Sequence, residues 1–424
     1  MIAEKSHTAQ YIIEKISPSA GKVAFMNDTV LSKALLFLEK NGMPSNKYED
    51  YKYCNVDAIL KKEFKNIEQK FNQQVSVDAF KIADTYTLVM LNGHFSSTLS
   101  DTISEKGLHL SALSNMPELA KTKLGSIANV ESDAFIAMNT AFSADGLYIK
   151  IDKNTVLSKP IFILHITAAL SECFVNSRVL IDLEEGASAS IYEEQILIGE
   201  SKAFTNYLSE KFIGRNAKLN TCLIQSQSQL GYSVNTSQVA LQADAHYDNT
   251  TITLNGQLVR NNHNVELLGE NAQAHLNGLF TANGTSLIDN HTLMDHRVPH
   301  CESNELYKGI INHKGIGVFN GKIFVRKDAQ KTNAYQSSKN ILLSDDATVN
   351  AKPQLEIYAN DVKCSHGTST GKIDENAMFY LNARGIGKES AKKMLLSSFA
   401  QEVILKIENP ELQEKIDQAF TNQI

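Results

Sequence analysis

Cys364-Ser365-His366 is the sharpest pair of chemistry-bearing residues in the chain. On an extended segment residues i and i+2 point to the same side, so this spacing would present a thiolate and an imidazole together. Soft sulfur beside a ring nitrogen suits iron, zinc or a fragment of an iron–sulfur cluster. Two ligands do not close a site, and the rest of the coordination would come from sulfide, other residues or another chain. On chemistry alone, a small buried Cys beside a polar turn remains the plainer alternative. A second group, His291, His296, His300 and Cys301 in HTLMDHRVPHC (291–301), also consists of metal-ligating types. It lacks a standard zinc spacing, and alternate residues of a strand face opposite sides, so turn and stacked-surface roles stand beside a metal site.

Two further motifs fail on their own chemistry. Gly367-Thr368-Ser369-Thr370-Gly371 has the letters of a G-x-S-x-G nucleophile elbow, with Ser369 as the nucleophile of a hydrolase. That arrangement needs a histidine later in the chain, and the last one here is His366, so a glycine-bounded turn is expected instead. In KGIGVFNGK (314–322), Asn320 replaces the third glycine of a dinucleotide loop, while Ile316 and Ile323 occupy positions that a phosphate loop needs as Gly and Ser/Thr. No nucleotide is expected on this chain, and any ATP hydrolysis coupled to it would come from a partner.

These residues must be positioned by a chain of 424 residues, longer than the roughly 250–300 that one core usually serves. With 41 Lys and Arg against 47 Asp and Glu, the net charge of −6 does not favour nucleic acid or an anionic membrane surface. The longest apolar run, PIFILHI (160–166), is far short of the roughly 20 residues of a membrane span, and the N-terminus has no uninterrupted apolar core of a secretory signal. Five scattered cysteines without a Cys-x-x-Cys pair fit a reducing, cytoplasmic setting.

Val30, Leu31, Ala34, Leu35 and Leu38 share one helical face, with Asn41-Gly42 as a stop, and 61–74 (KKEFKNIEQKFNQQ) forms a second, more polar candidate. The segment 1–75 is therefore expected to be an N-terminal helical domain. In the core segment, 76–350, short β-rich runs dominate: TYTLVML (85–91), LYIKI (147–151), IFILHI (161–166), RVLIDL (178–183), TITL (251–254) and KIFV (322–325). Gly186, Gly199, Gly214 and Gly231 punctuate them at similar but uneven intervals. This suits a sandwich, a barrel or a solenoid, and spacing does not choose among them. The remainder, 351–424, would finish the β region and return to helix. There Ala391, Met394, Leu395, Phe399, Val403, Ile404 and Ile407 form a stripe, and Asn409-Pro410 opens a last helix. Met394, Leu395 and Phe399 are candidates for a partner-binding face, although such a stripe also serves as ordinary core.

The stretch PQLEIYANDVKCSHGTSTGKI (353–373), with FYLNARG (379–385) after it, resembles the SufB/SufD family of iron–sulfur cluster assembly proteins. YEDYKY (48–53), NGHF (92–95), MNTAF-x-x-DG (138–146), VLIDLEEGA (179–187) and FNGKIFV (319–325) follow in the family's order. Tyr51 stands where the family commonly carries Trp, and KCSHGTSTGKI favours the SufD side over a SufB-like paralogue. The resemblance implies a right-handed parallel β-helix flanked by N- and C-terminal helical domains. It also implies a non-catalytic scaffold that pairs with SufB through the β-helix and binds the ATPase SufC through its C-terminal helices, with a homodimer of the isolated chain as an open alternative. Cys364 and His366 would then help hold iron or a nascent iron–sulfur cluster at the SufB interface. The family is also linked to a reduced flavin in the complex, for which no residues can be assigned. A purely structural solenoid adaptor without a metal role and a hydrolase using Ser369 are the competing functions.

Overall fold

A computed structural model describes residues 25–56, 59, 64–66 and 75–424. Its strands alternate between two sheets, so each parallel neighbour lies one full turn away in sequence. The first sheet runs through Leu147–Ile151, Cys173–Leu183, Ala203–Ile213, Gly231–Leu241, Leu258–Leu267, Leu287–His296, Ile316–Val325 and Thr348–Ile357. The second runs through Tyr86–Leu91, Ile161–Ala168, Ser188–Ile198, Lys218–Ser226, His246–Asn255, Gln273–Ala282, Glu302–Ile311, Asn333–Leu342 and Lys363–Gly371. The result is a parallel β-solenoid of about eight turns with helices towards both termini.

Register explains the uneven glycines. Ser188, Lys218, His246, Gln273, Glu302, Asn333 and Lys363 stack directly on one another, so each step along that column is one turn. The glycine intervals are about half as long, because each turn contributes one strand to each sheet. One corner repeats a left-handed residue in six successive turns: Gly186, Asn216, Asp244, Asn271, His300 and Lys331 have φ between 54° and 70°. Asn and Asp tolerate that conformation best among residues with a side chain. The inward faces meet in a lumen filled by Ile149, Val179, Ile191, Leu219, Met294 and Ile323, all buried. Parallel strands covered on both faces read as continuous apolar runs, and those runs are what the sequence displays.

The two ends of the solenoid differ. At the first, short antiparallel strands, Leu108–Ala112 and His94–Phe95, close the sheets. At the last, Thr348–Ile357 and Lys363–Gly371 each have a neighbour on one side only, within the described residues.

Helix α1 (Asp28–Asn41) is capped by the Asn27 side chain on Thr29 N–H and ends at Gly42, whose φ of 65° favours glycine. A short helix α2 (Glu118–Lys121) precedes α3 (Ala134–Phe142), which packs against α1. Helix α3 lies inside 76–350, the segment where short β-rich runs dominate. Every residue in it is buried, so it carries no amphipathic stripe to read. The second expected N-terminal helix, 61–74, falls mostly outside the described residues; within it Lys65–Asn66 is extended and pairs with Cys173–Phe174.

Buried polar groups anchor α3 and its approach loop to the outer face of the first sheet. Arg178 donates to Glu210 at 2.6 Å and to Thr140 at 2.9 Å, and Glu210 also accepts the Gly125 N–H at 2.9 Å. Asn139 bridges two rungs by donating to the carbonyls of Ser177 and Asn206. Arg178 and Glu210 have no solvent-exposed side-chain surface, so removing one leaves the other uncompensated. Glu210→Ala is therefore expected to cost about 3–5 kcal/mol, read as an early transition in denaturant unfolding; a loss within about 0.5 kcal/mol of wild type would contradict this anchor.

Candidate functional site

Cys364 and His366 lie on the final strand, Lys363–Gly371. Cys364 packs against the lumen core and sits in register on Ala334, which rests on Ser303. His366, two positions on, takes the same face and sits in register on Gln336. The i, i+2 spacing on this extended strand directs both residues to one side, the mouth of the lumen. No further rung covers them among the described residues, so Cys364 is half-buried and His366 exposed. Half-burial pushes the Cys364 thiol above its usual value, and a metal would have to displace its proton. Ser365 and Ser369 take the opposite, outer face. The GTSTG segment is an edge strand rather than the expected turn, because pairing along Asn333–Leu342 overrides the local preference of its glycines.

Below the pair the lumen turns polar. Gln336 Nε2 donates to Glu305 Oε1 at 3.0 Å, and Thr292 from the facing sheet donates to Glu305 Oε2. Gly321 makes room, since a Cβ there would lie 2.3 Å from Gln336 Nε2. Among the described residues no cation pairs with Glu305; burial pushes its carboxyl up to about 7 against the hydrogen bonds from Thr292 and Gln336. Beneath the Cys364 stack, His296 Nε2 meets Ser303 Oγ at 2.9 Å, and burial holds this imidazole down to about 4, in its neutral form.

Comparison with known proteins places this arrangement. The core-domain model of the SUF system for FeS cluster assembly matches residues 165–399, and the SufBD N-terminal region model matches residues 3–163. The chain belongs to the SufB/SufD family. It is 28% identical over 382 residues to the iron–sulfur cluster assembly protein SufD of Escherichia coli, covering 89% of each chain. It is also 28% identical to a SufBD family protein of Synechocystis, covering 89% of this chain and 87% of that one. A SufBD family protein of Mycobacterium leprae is 32% identical over 43% of this chain and 49% of its own.

Several stretches that carried the resemblance to the SufB/SufD family are structural. Tyr51 of YEDYKY donates to Asp133 and lies under the Arg260 guanidinium, 4.0 Å from ring centre to Cζ. Asn139 and Thr140 of MNTAF anchor α3, and Gly321 of FNGKIFV seats Gln336. Sequence reading missed Glu305 and Gln336, because they stand a full turn apart in the chain and only the register reveals the column.

The segment 291–301 does not form one site. His291 faces outward beside Asp289 and Arg260, His296 faces the lumen, His300 is the left-handed corner residue, and Cys301 donates to the Gly269 carbonyl. Among the described residues no three His, Cys, Asp or Glu side chains converge on one point. The five cysteines form no disulfide, and no helix among the described residues is long and apolar enough to cross a membrane.

Beyond the open end come α4 (Glu375–Ala383), α5 (Lys388–Ile404) and α6 (Pro410–Thr421), the last capped by Asn409 on Leu412 N–H. The buried face of α5 is Ala391, Leu396, Ala400, Val403 and Ile404. Of the three stripe residues singled out for a partner, Met394 is 50% exposed, Leu395 is half-buried, and Phe399 packs against the solenoid with Lys308 Nζ 4.2 Å over its ring. Helix α4 buries none of its residues, and Phe379 and Tyr380 are 75% and 57% exposed.

The Glu305 carboxyl carries a sign for stability. Its folded-state value of about 7 exceeds the ordinary 4.5, so its contribution is fully present below about 4.5 and is lost as pH rises through 7. Glu305→Gln removes that titration and keeps the acceptor for Gln336. Denaturant unfolding across this window is expected to show wild type losing stability relative to the variant by about 3 kcal/mol. Parallel pH curves for the two proteins would refute it.

Proposed function

We propose that this chain is the SufD-type scaffold of a SUF assembly complex, in which Cys364 and His366 contribute half of a site for iron or a nascent cluster and SufB contributes the rest. The observation that carries this reading is the uncovered last rung with both donors at its mouth. Within the described residues Thr348–Ile357 and Lys363–Gly371 each keep one edge without a strand neighbour, a template for another chain. Incomplete coordination suits cargo that must later leave, since a closed ligand set would hold it. The chain itself performs no catalysis in this reading, and ATP turnover belongs to SufC. Free thiols fit a cytoplasmic setting.

The SufC-binding surface comprises exposed Phe379 and Tyr380 of α4 with Met394 and Leu395 of α5. Large aromatic side chains left in water on a helix without a buried face support that role.

Anaerobic co-purification with SufB and SufC, followed by iron and sulfide analysis, tests the first part. His366→Ala is expected to keep both partners and lose at least about fivefold in bound iron, a single ligand's share of affinity; unchanged iron, or no capture of SufB, would reject the reading. For the second part, Phe379→Asp should weaken SufC capture by at least about tenfold, or about 1.4 kcal/mol, and leave SufB pairing intact. Equal SufC affinity for the variant and wild type would move that interface elsewhere.

A further inference from the structure

The column beneath His366 contains one unmet bond. Gln336 is 3% exposed, its Nε2 is committed to Glu305, and its Oε1 is buried without a partner among the described residues. An acceptor buried without a donor is destabilising. Glu305 and Thr292 occupy the space below, and the ring of Phe319 and the backbone at Gly321 fill the facing sheet. One rung lies above, and the residue it stacks on Gln336 is His366. Adjacent strands stand about 4.8 Å apart, within reach of an amide oxygen and an imidazole N–H as the rotamers settle. Gln336 itself is held by the Glu305 bond and by the glycine opposite.

We propose that Gln336 is a positioning residue for His366: seated on Glu305 inside the lumen, its free amide oxygen accepts the imidazole N–H and so fixes which ring nitrogen faces the open end. A ligating histidine is normally oriented by such an acceptor on its other nitrogen, which sets tautomer and ring direction together. Only the consequence for iron rests on the reading of His366 proposed above. The hydrogen bond does not. The column thus makes the solenoid interior, and not only its rim, part of the site.

The test uses the full chain with nitrogen-15 in its histidines, and assigns the His366 ring signals by their loss in His366→Asn. Ring shifts report the tautomer ratio. Gln336→Leu removes the acceptor, and Gly321→Ala displaces the amide from across the lumen without touching the strand that holds it. In each variant that retains the wild-type circular dichroism, the His366 tautomer ratio is expected to change by about fivefold, the value of one net hydrogen bond. Glu305→Gln, which still accepts from Gln336, should keep the wild-type ratio. An unchanged ratio in a folded Gln336→Leu or Gly321→Ala variant overturns the proposal, and so does a bridging water that leaves the ring free. Iron content of the complexes separates the two readings. If the ratio moves in Gln336→Leu while His366→Ala leaves iron unchanged, the positioning stands and the iron site falls.

Discussion

A parallel strand can satisfy its backbone only by lying between two others, and a solenoid meets that demand by adding turns. The chain stops adding them at Lys363–Gly371. Everything distinctive about this molecule follows from how the two ends treat that constraint. At the first end, short antiparallel strands turn the sheet edges away from further pairing. At the last, two long strands each keep one edge without a strand neighbour among the described residues, and the lumen opens with a cysteine and a histidine on its rim. Leaving a ladder unfinished is costly in a monomer and becomes an advantage when another protein completes it.

The same repeat governs what lies within. Inward positions stack into columns, so a polar residue in one rung must find its partner in the rungs above and below or across the lumen. Amides manage this by chaining: Gln195 donates to Asn235, Gln225 to Asn261, and Asn261 to Asn290. The Thr292, Glu305 and Gln336 chain follows the same rule and ends beneath the rung that carries His366. On the outside, the helices solve a different problem. Helix α3 and its approach loop reach a sheet face whose buried Arg178 and Glu210 require partners: Thr140 and Asn139 accept from Arg178, and the Gly125 and Ala128 N–H groups donate to Glu210.

Legibility in the sequence divided along physical lines. Apolar runs such as LYIKI and IFILHI reported strands directly, because both faces of a parallel sheet are covered and no polar alternation interrupts them. The cap at Asn409 was equally plain, being local; the one at Asn27 emerged only with the structure. The choice of solenoid was not local: turns of unequal length blur into half-turn glycine intervals that a barrel could share. Helix α3 was hidden by uniform burial, and GTSTG looked like a turn because tertiary pairing outweighs glycine's preference. Cys364 and His366 were visible through their i, i+2 spacing, whereas Glu305 and Gln336 carried no local signal at all. Phe399 shows the converse limit, since helical spacing gathers a stripe without saying which edge of it meets the solenoid and which meets solvent.

The contrast between Phe399 and Phe379 shows how the helices complement the open end. Phe399 is fixed by the buried ammonium of Lys308, which also donates to the Phe399 carbonyl at 2.8 Å and pairs with Glu402. That contact ties α5 to the second sheet, so α5 cannot swing freely from the solenoid. Helix α4 connects this anchored helix to the last strand and buries none of its own residues. A partner gripping α4 would therefore pull on a segment that joins the donor-bearing strand at one end and a fixed helix at the other. The rung carrying Cys364 and His366 is the softer of the two attachments, because it has a hydrogen-bonded neighbour on one side only. Of the two attachments of α4, the strand that ends the second sheet is therefore the one with fewer neighbours among the described residues, and the Lys308 contact at α5 is the one fixed by charge.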